Sequence, residues 1–456
     1  MTQIFVASTF YGAMSLAAAI DAGLFGTNDQ RRILLMSNNT AVPEIAASLD
    51  ESPGFAALRD RFGEILSWNE LLWPAHPSTW SPRNQDRTLL YRLLRHYWSL
   101  GDEPLHLVVE SIQVPPARAL AEIFEDATIT VYSDGLMSYG PSRESPPREM
   151  ATRIDQVLYL DLVPGVRPLL LSEYPEVELA TVPADAFRGV VKEVATQVDA
   201  ESVLADRDLS GVPMVIGQYM AALEIITAEE EDELHARMLR GIAAQGHRKV
   251  IFKPHPSSTT RMFRALRASA EQAGVELAVL DAPFPVEVWY EKLRPSLVVG
   301  CFSTGLSTAA SFYDLPTATV GAELPLQRIT PYQNSNRIPI TLADAAMPRM
   351  ADNGDIQPPR IPAERFAEQL TPLLSAISYC MQSSTYPHLR DAAVTYLSQH
   401  SEAEVSRYFK RRRLTALRLP GASQRRYPSW LVAGARRIRP GKSSKDDKDS
   451  KENKDN

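Results

Sequence analysis

At 456 residues, with 44% hydrophobic and 23% charged residues and a net charge of −7, the chain is long enough for two or three domains, each with its own core. Its two cysteines, Cys301 and Cys380, exclude a disulfide framework and a multi-cysteine zinc site and fit a reducing cytoplasm. The apolar stretch after the first strand carries Asp21 and is too short to span a bilayer, so neither a signal peptide nor a transmembrane helix is expected.

The chain opens with Gln3-Ile4-Phe5-Val6-Ala7-Ser8, a short apolar run that reads as a strand. Further strands are expected near 32–37, 104–110, 127–132 and 156–162, separated by amphipathic stretches from Phe55 to Leu66, Arg87 to Leu100 and Pro116 to Phe124. That alternation predicts an α/β half with a largely parallel sheet and helices on both faces. Ligands bind at the strand exits of such sheets. Ser8-Thr9 and Glu110-Ser111 stand at two of them and are candidates for the acceptor side of a site. The run Ala127 to Tyr132 delivers Ser133-Asp134-Gly135 at a third. Gly135, with no side chain, is expected to let the turn bend sharply and leave the Asp134 carboxylate facing a cleft, within reach of a hydroxyl it would deprotonate. An Asp-Gly pair is also a common plain turn. The segment 170–212 reads as less regular, with an interdomain linker near 200–212.

A second α/β half restarts with Val212-Pro213-Met214-Val215-Ile216-Gly217, followed by a helix from Ala228 to about Gln245 and strands near 249–253, 275–280, 296–300 and 316–320. Gly217-Gln218-Tyr219, at the first exit of this half, would line the same crevice as the strand exits that follow and let a ligand approach the backbone closely. Lys249 to Phe252 leads into Lys253-Pro254-His255-Pro256, with Ser257-Ser258-Thr259-Thr260 placed to cap a helix from about Arg261. An imidazole at a strand exit with a lysine two residues earlier suits an anionic phosphate, whereas a surface histidine in a stiff turn is the bland reading. His76-Pro77 looks similar but sits in an aromatic, Pro-rich loop with no strand before it. The strand Ser296 to Gly300 then runs into Ser303, Thr304, Gly305 and Ser307 at a helix start, where backbone N–H groups and hydroxyls would cradle an anion without a metal. A plain N-cap looks the same. No internal repeat is visible between the two halves, and 362–405 reads as helical, closing the second half and crossing back to the first.

Charge is segregated at the C-terminal end. Between Arg407 and Lys442 stand twelve Lys/Arg and no Asp or Glu, which leaves −7 − 12 = −19 on the rest of the chain. Tyr408, Phe409, Leu414, Leu417, Leu419, Tyr427, Trp430, Leu431, Val432 and Ile438 are mixed in, so the segment is expected to lie on an anionic inner-leaflet surface. Nucleic acid, which attracts the same charges, is not expected as a partner, because the acidic body would repel it. Residues 443–456 are Ser, Lys, Asp, Glu and Asn only and read as a disordered tail. The expected division is therefore an acceptor-binding half over 1–205, a donor half over 206–405, a basic membrane-associating segment over 406–442 and a tail over 443–456.

Taken in order, Tyr132-Ser133-Asp134-Gly135, Lys253-Pro254-His255-Pro256 and Ser303-Thr304-Gly305-Leu306-Ser307 resemble the motifs of bacterial sialyltransferases, most of all the α-2,8-polysialyltransferases of capsule biosynthesis, over residues 1 to about 405. The resemblance implies a GT-B fold of two Rossmann-like domains and metal-independent, inverting transfer of a sialic acid from a CMP-activated donor to a glycan or glycolipid acceptor, on the cytoplasmic face of the membrane. It implies Asp134 as the base, His255 on the CMP phosphate, and Ser303, Thr304 and Ser307 on the nucleotide phosphate or sugar. The family usually has two acidic residues before the glycine, whereas this chain has Ser133 and Asp134. Two rival readings exist: a transferase using CDP-glycerol, with Lys253 more prominent, and a catalytically silent membrane-associated scaffold.

Overall fold

The computed structural model describes residues 1–27, 30–45, 47–198, 208–255 and 260–422. Seven strands form the first sheet: β1 (Thr2–Ala7), β2 (Arg31–Met36), β3 (Glu64–Ser67), β4 (Leu105–Val109), β5 (Thr128–Ser133), β6 (Ile154–Leu160) and β7 (Glu178–Val182), in the spatial order β3-β2-β1-β4-β5-β6-β7 and all parallel. The second sheet has β8 (Met214–Ile216), β9 (Lys249–Lys253), β10 (Glu276–Val279), β11 (Val298–Gly300), β12 (Thr317–Thr319), β13 (Arg349–Met350) and β14 (Ile356–Gln357). Its order, β10-β9-β8-β11-β12-β13-β14, repeats that of the first, and only β13 and β14 pair antiparallel. Every residue of β1 is buried, as a parallel strand covered on both faces must be.

Among the described residues the helices of seven or more residues are α1 (Phe10–Asp21), α2 (Arg87–Tyr97), α3 (Ala117–Ile123), α4 (Ala184–Thr196), α5 (Ala228–Ala244), α6 (Thr260–Ala273), α7 (Val286–Leu293), α8 (Thr304–Tyr313), α9 (Arg337–Ala346), α10 (Thr371–Met381), α11 (Arg390–Gln399), α12 (Glu402–Tyr408) and α13 (Arg411–Leu417). The two halves face each other across a cleft in the GT-B arrangement. Their contact is built on α4, which buries Phe187, Val190, Val191 and Val194 at helical spacing. Phe187 meets Phe312 edge-on at 5.7 Å, and Arg188 donates to the Phe312 carbonyl at 3.0 Å. Ser311 of the second half donates to the Leu162 carbonyl of the first at 2.9 Å.

Several expectations need correction. The stretch Phe55 to Leu66 is one turn of helix, Ala56–Arg59, followed by edge strand β3, because Gly63 donates to the Arg32 carbonyl at 2.9 Å and begins the pairing with β2. The segment 170–212, read as irregular, holds β7 and α4. The C-terminal helices do return to the first half: the Tyr386 hydroxyl accepts from the Ser142 N–H at 2.8 Å and pairs with the Glu173 carboxylate.

The start of the basic segment is not a membrane surface. Tyr408, Phe409, Leu414 and Leu419 are core residues, 1–5% exposed. Arg407 forks onto the Asp344 carboxylate at 2.6 and 2.7 Å, Lys410 donates to the Gln327 carbonyl at 2.6 Å, and Arg413 to the Cys380 carbonyl at 2.6 Å. Apolar burial and carbonyl acceptors inside the protein outcompete a lipid surface for these side chains. Residues 423–456, with the rest of the basic segment and the tail, lie outside the described residues. Among the described residues no helix is long and apolar enough to cross a membrane.

Candidate active site

In each half the strand order reverses beside the first strand, between β1 and β4 and between β8 and β11, and open α/β sheets bind ligands in the crevice at that switch point. Both crevices open into one cavity of about 520 Å³ between the halves. From the first half come Glu110 at the β4 exit and Ser133, Asp134 and Gly135 at the β5 exit. From the second come Gly217, Gln218 and Tyr219 beyond β8, His255 beyond β9, and Phe302, Ser303 and Thr304 where β11 runs into α8. The carboxylate and the imidazole thus share one cavity, on walls supplied by different halves.

Asp134 sits partly open to the cavity, its carboxylate packed over the first turn of α1. A Cβ on Gly12 would lie 3.3 Å from Asp134 Oδ2, 3.1 Å from the Tyr132 hydroxyl and 3.1 Å from Thr9 Oγ1, so glycine is what lets the helix come this close. Burial first, and then the negative charge of Glu110, push the Asp134 carboxyl up to about 8. Glu110 is itself pushed upward by burial, against the pull of a hydrogen bond from Ser8 Oγ to Oε2 at 2.9 Å. Two carboxylates at neighbouring strand exits therefore resist being charged together, and Asp134 holds its proton near neutrality. The fully buried Glu287, which accepts from Thr308 Oγ1 at 2.7 Å, adds to the effect from the second half.

His255 stacks on Tyr219, with ring centroids 3.7 Å apart and planes 21° from parallel. Burial, followed by the charge of Lys253, draws its imidazole down to about 4, so the ring by itself is neutral near pH 7. A Cβ at Gly217 would be 2.8 Å from the Phe252 ring and 3.2 Å from the His255 nitrogen, which explains a glycine where the β8 exit abuts the histidine turn. Ser303 is the N-cap of α8, its Oγ accepting from the Gly305 N–H at 3.1 Å, and Thr304 follows on the cavity wall. The Gly305 and Leu306 N–H groups are taken up by Ser303 itself, so what this corner offers an anion is the two hydroxyls, at the positive end of α8.

Other expected positions are displaced or have different reasons. Gly135 has φ −136°, which any residue adopts, so no sharp turn requires it. Its missing Cβ instead leaves room for Thr304 Oγ1 of the opposite half, which would stand 3.2 Å away. Lys253 does not line the cavity: its ammonium is buried and donates to the Ala282 carbonyl at 3.0 Å and the Pro254 carbonyl at 3.4 Å, and burial lowers it to about 8. Ser307, one turn into α8, is 2% exposed and faces the core, and a Cβ on Gly305 would strike Val286 at 2.7 Å. Thr9 is occupied as the N-cap of α1, accepting from Gly12 at 2.9 Å, and the Ser8 hydroxyl is turned onto Glu110. Pro256, with Ser257, Ser258 and Thr259, lies outside the described residues. His76 stays in its loop, bonded to the Thr40 carbonyl at 2.8 Å and away from the cavity.

Tyr219, expected beside Gly217 and Gln218 at the β8 exit, does line the cavity. Some wall residues were not foreseen. Arg143 lines the cavity and donates across it to Ser335 of the second half. Arg143 lies in a loop between short helical turns, and nothing local marks it.

A family model described as Alpha-2,8-polysialyltransferase matches residues 3–322, a span holding Asp134, His255 and the Ser303 turn. The chain belongs to the α-2,8-polysialyltransferase family. It is a glycosyltransferase, and within that class a sialyltransferase, with a sugar donor and a glycan acceptor. No curated protein matches it in sequence. Solved structures that align with it include the GT-B domain of a sialyltransferase from Photobacterium damselae (12% identity, 75% of this chain and 97% of that one, TM-score 0.40). Others are UDP-GlcNAc 2-epimerase from Neisseria meningitidis bound to UDP-GlcNAc (13%, 70% and 82%, TM-score 0.45) and E. coli heptosyltransferase WaaC with ADP (12%, 70% and 87%, TM-score 0.32).

Proposed function

We propose that this sialyltransferase takes its sugar from a CMP-activated sialic acid and transfers it with inversion, without a metal, to a glycan or glycolipid acceptor at the inner membrane surface. One observation carries the reading: Asp134 and His255 stand on walls of a single cavity contributed by different halves, with the start of α8 beside the imidazole. In a direct displacement the acceptor hydroxyl loses a proton while the departing CMP gains negative charge on the far side of the anomeric carbon. Asp134 takes the proton in its ionised form; the upward shift makes that carboxylate the stronger base and makes its own ionisation the acidic limit on the rate. His255 donates a hydrogen bond to the phosphate of CMP, and the arriving negative charge draws the imidazole toward its protonated form. The Ser303 and Thr304 hydroxyls, at the positive end of α8, complete the phosphate's partners. Closure of the halves over the donor excludes water and limits hydrolysis.

The test is transfer from radiolabelled CMP-sialic acid to a glycan acceptor, with CDP-glycerol as the competing donor and EDTA in a parallel series. Wild type is expected to use the first donor in both buffers, and Asp134→Asn and His255→Ala to lose about 10²–10⁴-fold each while remaining folded. Transfer from CDP-glycerol alone, or full activity in either variant, overturns the assignment. The membrane part rests on Arg425, Arg426, Arg436, Arg437 and Arg439 with Tyr427 and Trp430. Removing residues 423–456 is expected to abolish flotation with phosphatidylglycerol vesicles at low salt, and unchanged flotation refutes it.

A further inference from the structure

A second cavity, of about 280 Å³, lies in the second half outside the interdomain cleft. Its wall carries four arginines, Arg237 of α5, Arg349 of β13, Arg360 and Arg407 of α12, against two carboxylates, Asp344 and Glu323. The excess is two positive charges. Asp344, 1% exposed, is fully engaged: Arg407 forks onto it, Arg360 stands at 3.3 Å, and the Tyr408 hydroxyl donates at 2.9 Å. Arg237 bonds Asp352 at 2.9 Å, an acid that Arg240 also holds at 3.1 Å, and is 3.9 Å from Glu323. Arg349 has the least compensation. Its Nη2 reaches only the Pro358 carbonyl, at 3.3 Å, and its Nε is buried with no hydrogen-bond partner among the described residues.

We propose that this cavity binds a phosphate-type oxyanion through Arg349, Arg360 and Arg237. A guanidinium presents planar forks that match such oxygens two at a time, and a dianion cancels the surplus charge of the wall. Burial and the nearby charge of Arg360 both oppose the charged form of Arg349, and a bound anion reverses the second effect. The site is separate from the sialic acid transfer chemistry but mechanically linked to its cavity. Helix α9 begins beside the cleft, where Asn336 and Pro339 line it, and carries Asp344 five residues further on, ~7–8 Å along its axis. An occupied site braces α9, α12 and the β13 edge against one another.

Calorimetric titration of inorganic phosphate into the full chain tests this, using wild type, Arg349→Gln, Arg360→Gln, His255→Ala and the exposed control Arg412→Gln. One saturable site is expected to survive in His255→Ala and Arg412→Gln and to weaken at least tenfold in Arg349→Gln and Arg360→Gln. Phosphate should also raise the melting midpoint of wild type more than that of Arg349→Gln, since a ligand that binds only the native state stabilises it. Competition by a sugar phosphate identifies a soluble source and competition by phosphatidic acid vesicles a headgroup, and either supports the site. Binding lost in His255→Ala and kept in both arginine variants assigns phosphate to the cleft and overturns the proposal, as does the absence of saturable heat in wild type. Arg360, a third exposed, is the variant that keeps the test valid if Arg349→Gln does not fold.

Discussion

Replacing Asp134 by asparagine separates what this carboxylate costs the fold from what it gives the reaction. Its pKa rises from 3.8 to about 8 on folding, so between those values the native state holds a proton that the unfolded chain has released. Stability then falls as pH rises, being fully present below the unfolded value and lost through about 8. Four units at ~1.4 kcal/mol each give a ceiling of ~5–6 kcal/mol, which the opening to the cavity and relaxation of Glu110 reduce to about 2–3 kcal/mol. The amide introduced by Asp134→Asn keeps the neutral shape and escapes the penalty. Urea denaturation at pH 4.5 and pH 9 should show Asp134→Asn nearly equal to wild type at the lower pH and more stable by that amount at the higher, with transfer at pH 9 down by about 10²–10⁴-fold. A stability difference that does not grow with pH, or that favours wild type at pH 9, refutes the assignment of a high pKa to Asp134.

Because the negative charge of Glu110 helps hold the Asp134 carboxyl up, Glu110→Gln should move the acidic limb of the kcat/KM profile about one unit lower, and an unmoved limb would show that the two acids are uncoupled. Tyr219→Ala removes the ring stacked on His255 and should cost about tenfold in kcat/KM, whereas Tyr219→Phe retains the rate; equal losses in both would assign the hydroxyl, not the ring. Asp344→Ala strands Arg407 and Arg360 and should destabilise the chain by about 3–5 kcal/mol in a denaturant titration, and a loss under ~1 kcal/mol would mean that solvent already neutralises them.

The strands that carry the site were legible because each is a short apolar run ended by small or polar residues, and such runs have few alternatives to a buried parallel sheet. Edge strands β3 and β7 escaped notice since, half-covered, they mix polar and apolar residues. The identical strand order of the two halves was equally hidden: topology repeats here without any repeat of sequence, because many apolar runs satisfy the same sheet position. The fate of Tyr408, Phe409 and Leu414 shows the limit most clearly. An aromatic amid arginines looks alike whether lipid or protein will cover it.

The sequence by itself determined the α/β class and the exits where Asp134, His255 and Ser303 would stand, since strand propensity and the punctuation after each run are local properties. Only the tertiary structure decided which groups act on one another. It set Glu110 beside Asp134, Tyr219 under His255 and Thr304 against Gly135, and it turned Lys253 and Ser307 away from the cavity. Burial and electrostatic coupling depend on distances between strands that are remote in the chain, and those distances come into being with packing.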